Sequence, residues 1–309
     1  PNKPEPLNDK IHKSETHNEL DDMPNEPEPL NDKLTDEEKV QEYRTMVGTA
    51  MWVRITRPEI AYELACLARG IMKPTINDVE RLNKLVKYLK KTCADKRIIT
   101  TMEGKLSMVT LTAFATLPDL DSQAGMVIIA RSTTCPTKVA VMTVTSRKIK
   151  RKCQSPFDAE CLASVDGAGD TMSYADLLEE GIYGLRPGLV EMMSRRSLGM
   201  EPAKHNTRQI SAALLTDSDG VCTAVAGTKQ VDCKRRRIDI DHLRECTELN
   251  DLASVQHIPR EYNVADAVTA TRSPPTASNT RLRDMLYRAM WDLPKRLIPG
   301  EELPERVEC

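Results

Sequence analysis

Aromatic residues are scarce in this chain: Phe, Trp and Tyr together make up 4% of its 309 residues. Any packed interior must therefore be aliphatic and Met-rich, and a hydrophobic content of 40% is enough to support one. The length allows one or two domains at about 150 residues each. Neither sign of charge is in excess, because 44 Lys and Arg stand against 46 Asp and Glu for a formal net charge of −2. This excludes a general polyanion binder; a nucleic-acid surface has to come from local clusters. Long apolar runs are missing too, none approaching the ~20 residues of a membrane helix. There is no signal peptide, so no membrane partner is expected. None of the nine Cys forms a C-x-x-C pair and their number is odd. That pattern argues against a secreted disulfide framework or a zinc site. It favours reduced thiols in an intracellular protein, cytoplasmic or nuclear. The first residue is Pro1 rather than Met, as in a fragment or a processed piece.

Residues 1–36 are rich in Pro, Asn, Asp and Glu and poor in apolar side chains. They are expected to form a disordered linker, since they bury too little to offset chain entropy. The heptapeptide PEPLNDK occurs at 4–10 and again at 27–33, a small duplication rather than a solenoid. Leu20-Asp21-Asp22-Met23 invites comparison with a polymerase aspartate pair. Its flanks, HNE and PNEPEP, are turn and coil formers instead of hairpin strands.

Helices are expected over 36–53, with Thr35 as N-cap, and over 58–72, with Pro58 in the first turn and Ile60, Leu64, Leu67 and Ile71 on one face. A third is expected over 78–91, with Asn77 and Glu80 at capping-box spacing. Val79, Leu82, Val86 and Leu89 form its stripe, and Lys84, Lys87, Lys90 and Lys91 lie off it. After Gly104 the pattern becomes strand-like. Val109, Leu111 and Ala113 alternate with Thr110 and Thr112 as in a half-buried strand. Two more strands follow at 124–131 and 138–146. A long helix over 156–182, with a break near Gly167 and Gly169, leads to a short buried strand at 212–216 and a helix through about 226. Residues 239–250 read as helix, 253–258 as strand, 261–270 as helix and 271–279 as linker. A last helix over 280–292 carries Leu282, Leu286 and Met290 on one side, either to dock on the core or to bind a partner. The sum is a mixed α/β architecture.

Acids in apolar settings carry the chemical information. Asp217 ends the strand ALLT, and a carboxylate at the carboxyl end of a buried strand faces a crevice. Glu160 begins the long helix, and Asp266 follows the strand SVQHI. Each alone reads first as a surface carboxylate or a helix cap, and spacing alone does not overturn that. Converging on one sheet edge, three such hard oxygen donors suit Mg²⁺, and two ions can activate water for phosphodiester cleavage.

The stretch EYRTMVGTAMWVRITRPEIAYELACLARGIMKPTINDVERLNKLVKYLKKT (42–92) resembles the segment after the palm in copia-type reverse transcriptases. There the pattern is YR-x-x-VG, then TRPDI-x-Y, then a helix ending K/R-YL-K-x-T. Tyr43, Arg44, Val47, Gly48, Thr56, Arg57, Pro58, Ile60, Tyr62, Tyr88, Leu89, Lys90 and Thr92 match in order. SQAGMVI (122–128), TSRKIKRKCQSPFDAECLA (145–163), LLTDSDGVCTAV (214–225), RRRIDIDHLREC (235–246) and HIPREYNVADAVTA (257–270) are similar to successive segments of the ribonuclease H region of that family. Arg237 stands where the family has His. The chain thus resembles the C-terminal part of a copia-type LTR retrotransposon Pol polyprotein over about 42–270. The resemblance implies a ribonuclease H-like mixed sheet flanked by helices over 101–272. It also implies a small helical segment over 37–100 and a linker with a C-terminal helix over 273–309. The family's catalytic acids fall on Glu160, Asp217 and Asp266, which would bind Mg²⁺ or Mn²⁺, two ions in an intact site. His257 corresponds either to a mobile catalytic histidine or to a plain strand-end residue. An RNA:DNA hybrid is the implied partner, alongside the rest of a Pol polyprotein.

One departure stands against these matches. The family's first strand carries an Asp that bridges both metals, and here no Asp lies between Leu106 and Pro118. About four residues look absent between Ala113 and Phe114. Asp119 and Asp121 are the nearest acids, in the expected turn, and reduced or absent activity follows unless one of them swings in. Arg147, Lys148, Lys150, Arg151 and Lys152 precede Glu160, and Lys234, Arg235 and Arg236 follow the Asp217 helix. These clusters suit salt-dependent phosphate contacts, and read alternatively as a nuclear-import signal or a solvated face. Two functions remain open: a hybrid-cleaving endonuclease, and a non-catalytic remnant that binds nucleic acid or a partner.

Overall fold

The computed structural model describes residues 33–34, 36–95, 97–98, 100–117, 121–184, 208–227, 231–270 and 276–292. The PEPLNDK repeat (but for Lys33), the Leu20–Met23 segment, Thr35, Asp119 and residues 271–275 lie outside them, as does the expected disorder of 1–32. Lys33 and Leu34 already pair with Thr75 and Pro74, so the linker expectation ends short of 36.

Helix α1 (Glu37–Val53) is capped by Asp36, whose carboxylate accepts from the Glu38 and Lys39 amides. Pro58–Ile60 form a 3₁₀ turn that leads into α2 (Ala61–Arg69), because Pro58 presets the first turn. Helix α3 (Ile76–Lys91) begins two residues before its expected start. Its capping box is Thr75 with Asp78, not Asn77 with Glu80: the Thr75 hydroxyl accepts from the Asp78 amide at 3.2 Å, and the Asp78 carboxylate accepts from the Thr75 amide at 2.9 Å. The three helices share one core of Tyr43, Val47, Ile60, Leu64, Leu67, Leu82 and Leu85. Each fully buried Leu is worth roughly 1.5–3 kcal/mol. Arg57 binds the unit together, pairing with Glu59 at 2.6 Å and donating to the Thr92 carbonyl and hydroxyl.

Five strands make one mixed sheet in the order β3-β2-β1-β4-β5. They are β1 (Leu106–Thr116), β2 (Ser122–Ser132), β3 (Val139–Lys148), β4 (Ser211–Thr216) and β5 (Ser254–His257). The first three are antiparallel; β4 runs parallel to β1, and β5 parallel to β4. The result is a mixed sheet flanked by helices, the architecture that the resemblance implies. β1 pairs with β2 residue for residue from Leu106↔Ser132 to Thr116↔Ser122, without a bulge at Ala113 and Phe114.

The sheet is covered on both faces. Helices α4 (Pro156–Tyr183), α5 (Asp219–Ala226) and α6 (Lys234–Glu248) meet Met108, Met126, Ile128 and Leu214 on one side. On the other, Val109, Leu111, Val127, Ile129 and Leu215 pack against Ala61 of α2, Val264, Val268 and helix α7 (Ala277–Arg288). Thr110 and Thr112 are therefore fully buried under α4, and β1 is not the half-buried strand that its alternation suggests. Helix α4 is unbroken, because Gly167 is a contact surface and not a hinge.

Three further departures have local causes. Helix α6 starts at Lys234 rather than 239, since buried Arg236 pairs with Asp158 and Asp239 and anchors the first turn without an apolar side chain. The expected helix at 261–270 is instead two 3₁₀ turns, Arg260–Tyr262 and Val264–Val268, separated by the extended backbone of Asn263. Helix α7 stops at Arg288 because Ala289 adopts a left-handed conformation (φ 54°). That turn leaves Met290 exposed and buries Trp291 in its stead. No helix among the described residues is long and apolar enough to cross a membrane.

A Cβ added at Gly167 would lie 2.5 Å from the Thr112 methyl, whereas at Gly169 it meets nothing within 4 Å. Gly167→Ala is expected to destabilise by about 1–3 kcal/mol through overpacking. Gly169→Ala is expected to stabilise by up to about 1 kcal/mol through helix propensity. Urea unfolding of the two variants checks the opposite signs.

Candidate functional site

The parallel pairing of β1, β4 and β5 ends at a common rim. Thr112 pairs with Thr216, and Thr216 with His257, so all three strands reach the rim in register. Asp217 follows directly on β4. Ser218 then caps α5, its hydroxyl accepting from the Val221 amide at 3.3 Å. Glu160 lies in the first turns of α4, which starts at Ser155 and Pro156 beside the same rim. Asp266 sits on the second 3₁₀ turn, 3% exposed. His257 ends β5 and is exposed at this edge.

Asn263, fully buried, fastens these pieces together. Its amide nitrogen donates to the Thr112 carbonyl at 2.8 Å and to Asp217 Oδ1 at 3.0 Å. Its own oxygen accepts from the Ala265 amide at 3.2 Å, which caps the turn that carries Asp266. One side chain thus fixes β1 at Thr112, the Asp217 carboxylate and the Asp266 turn. Asn263 stood in the matched motif HIPREYNVADAVTA, and that motif was the signal that could have marked it.

The three acids influence one another in series. Burial raises the pKa of Asp217; the hydrogen bond from Asn263 and the charge of Arg260 oppose this, while Asp266 adds to it. Burial also raises Glu160, against a hydrogen bond with Ser218 and together with the charge of Asp217. Arg260 Nη2 lies 3.5 Å from Asp266 Oδ1. The carboxylates have the hard donor chemistry that a divalent cation requires. Yet among the described residues no group of three or more His, Cys, Asp or Glu is arranged to hold an ion. Extending the β1–β4 register by one residue puts Ala113, 3% exposed, beside Asp217, so β1 offers a methyl group where a shared ligand would be needed. The residues present do not fit a two-ion centre. Asp121 does not substitute: Lys148 and Lys152 both bind it and hold its carboxyl well below the usual range.

The basic residues divide into two groups. Arg147 pairs with Asp166 at 3.1 Å and with Asp170 at 3.8 Å on α4, while Lys148 and Lys152 engage Asp121. Arg236 is 5% exposed between Asp158 and Asp239, a structural cation rather than the phosphate contact expected of it. Lys150, Arg151, Lys234 and Arg235 are exposed, and Arg151 reaches Asp239 of α6 at 4.0 Å, which draws the loop after β3 towards the start of α6. Arg237, where the family has His, donates to the Val231 carbonyl.

No family model and no curated protein sequence matches the chain. Among solved structures it is similar to the N-terminal RNase H domain of rv2228c from Mycobacterium tuberculosis, at 16% identity over 53% of this chain and 91% of that one, with a TM-score of 0.30. LC11-RNase H1 in complex with an RNA/DNA hybrid gives 16% identity over 53% and 93%, TM-score 0.34. The foamy viral protease-reverse transcriptase in complex with dsDNA gives 13% over 56% and 96%, TM-score 0.28. Likenesses this loose add no weight to the sheet order.

Folding raises the pKa of both Asp217 and Glu160, so each favours the folded state fully only below its unfolded pKa, and that contribution is lost as pH rises through the folded value. Asp217→Asn and Glu160→Gln are therefore expected to raise Tm at neutral pH, by about 2–4 °C for each kcal/mol relieved. The gain should vanish below about pH 4, where the carboxylates protonate in both states. Thermal melts across pH check this; a fall in Tm at pH 7 would refute it.

Proposed function

We propose that this chain is a retrotransposon-derived ribonuclease H-like domain, from the C-terminal part of a copia-type Pol polyprotein, that binds RNA:DNA hybrids and whose two-metal phosphodiester hydrolysis is impaired. The convergence of Glu160, Asp217 and Asp266 on one rim supports the reading most directly. Random acids on three distant segments have no reason to share a strand edge, and the motif matches assign these same three.

On this reading the domain reads a hybrid by its shape and 2′-hydroxyls, and the exposed cations beside the rim hold its phosphates. Lys150 and Arg151 on the loop after β3, with Lys234 and Arg235 at the start of α6, are exposed and would do so. Their contribution is independent of sequence and falls with salt. Glu160, Asp217 and Asp266 face the scissile region, with exposed His257 beside them. An intact two-ion centre would supply the attacking hydroxide and stabilise the leaving oxygen. With Ala113 beside Asp217, the rim lacks the charge to hold two ions together.

Fluorescence anisotropy with a labelled hybrid is expected to show binding that weakens steeply between about 50 and about 200 mM salt. Replacing Lys150, Arg151, Lys234 and Arg235 together by Ala should cost about tenfold or more in affinity and flatten the salt slope. In a cleavage assay with Mg²⁺ or Mn²⁺, wild type should be weak or inert. Ala113→Asp should raise cleavage, and Glu160→Gln on that background should abolish it. Robust wild-type cleavage that survives Glu160→Gln would remove the site, and absence of hybrid binding would remove the function.

A further inference from the structure

The rim carries an internal charge that the motif matches did not assign. Arg260 opens the first 3₁₀ turn, and its backbone is held in place: its carbonyl accepts from the Asn263 amide at 3.1 Å and from the Ser278 hydroxyl at 3.4 Å. Its guanidinium reaches back over the second turn to lie 3.5 Å from Asp266 Oδ1. The two partners differ sharply in exposure, 65% for the Arg260 side chain and 4% for that of Asp266. The carboxylate is thus fixed and buried, while the cation covering it comes from the solvent side and can leave. Asp217, tied to the same assembly by Asn263, also responds to the Arg260 charge. A solvent-exposed guanidinium thus lies against one of two carboxylates that the Asn263 network holds close together.

We propose that Arg260 is the resident counter-ion of the Asp217–Asp266 pair, occupying with its guanidinium the position a divalent cation would otherwise take. Arg260 offsets part of the rim's negative charge in the free protein, and a hard cation has to displace it before it can use Asp266. The arrangement follows from charge balance. Acids that cannot gather two metal ions still need a positive neighbour when buried, and a side chain tethered one turn away supplies it without loss of a free ion's translational entropy. The competition with a cation rests on the proposed site; the ion pair itself does not.

Two measurements on the full chain separate these parts. The first is a metal-free double-mutant cycle in thermal or urea unfolding, with Arg260→Gln, Asp266→Asn and both together. Coupling between the two is expected, with Arg260→Lys retaining most of it. The second is Mn²⁺ binding, followed by the electron paramagnetic resonance signal of the free ion. Arg260→Gln is expected to bind Mn²⁺ about fivefold tighter than wild type, the scale of one partly exposed ion pair. Arg260→Lys should stay near wild type, and Asp266→Asn should erase the gain. Absence of coupling in the cycle overturns the proposal, as does equal or weaker Mn²⁺ binding by Arg260→Gln. Coupling without Mn²⁺ bound by any variant supports Arg260 as the counter-ion of the pair and removes instead the cation reading of the site.

Discussion

A single buried amide holds the rim together. Asn263 spends both of its N–H groups on separate strands, one on the carbonyl of Thr112 and one on Asp217, and its oxygen on the turn that presents Asp266. No aliphatic residue could replace it, because the Thr112 carbonyl lies where the β1–β4 pairing ends and would lose its side-chain donor. The parallel β1–β4 pairing brings the strand ends side by side, and Asn263 converts that proximity into a fixed spacing between two acids. The short 3₁₀ turns follow from the same constraint. An α-helix through 261–270 would carry Asn263 away from the strands, whereas its extended backbone lets the side chain reach both.

The rim is a problem of unbalanced negative charge. Burial pushes Glu160 and Asp217 towards their neutral forms, and each acid adds to the strain on the next. Hydrogen bonds from Asn263 and Ser218, with the charge of Arg260, hold that tendency in check. At the turn of the β1–β2 hairpin the balance is reversed: Asp121 is claimed by Lys148 and Lys152 and kept ionised. The acids near the hairpin are therefore not interchangeable. One belongs to a lysine clamp on the basic loop, and the others belong to the strand ends.

Much of this was readable in the sequence, for physical reasons that differ by element. Helices α1 to α3 announce themselves through apolar spacing, and ordered motif matches lead to Glu160, Asp217 and Asp266 without geometry. What escaped depends on partners far along the chain. Thr110 and Thr112 look like the solvent side of a strand, and only the close approach of Gly167 buries them. Arg236 looks like part of a basic run until Asp158 and Asp239 enclose it. Asn263 was present in a matched motif, but its three bonds reach residues on three segments, which no local pattern reveals.

The last helix binds the beginning of the described chain to its end. Tyr287 of α7 donates to Glu59 across a sequence separation of 228 residues, Ile98 donates its amide to the Leu286 carbonyl, and Trp291 donates its own to Thr137. This seam cannot form on a ribosome until residue 291 has emerged. The β4-facing edge of β1 likewise waits for β4, leaving main-chain donors and acceptors open for much of synthesis. Such long-range closure predisposes to slow folding and to pairing with the wrong strand in the meantime. A nascent chain of this protein therefore carries an open strand edge until its last described helix can close the fold.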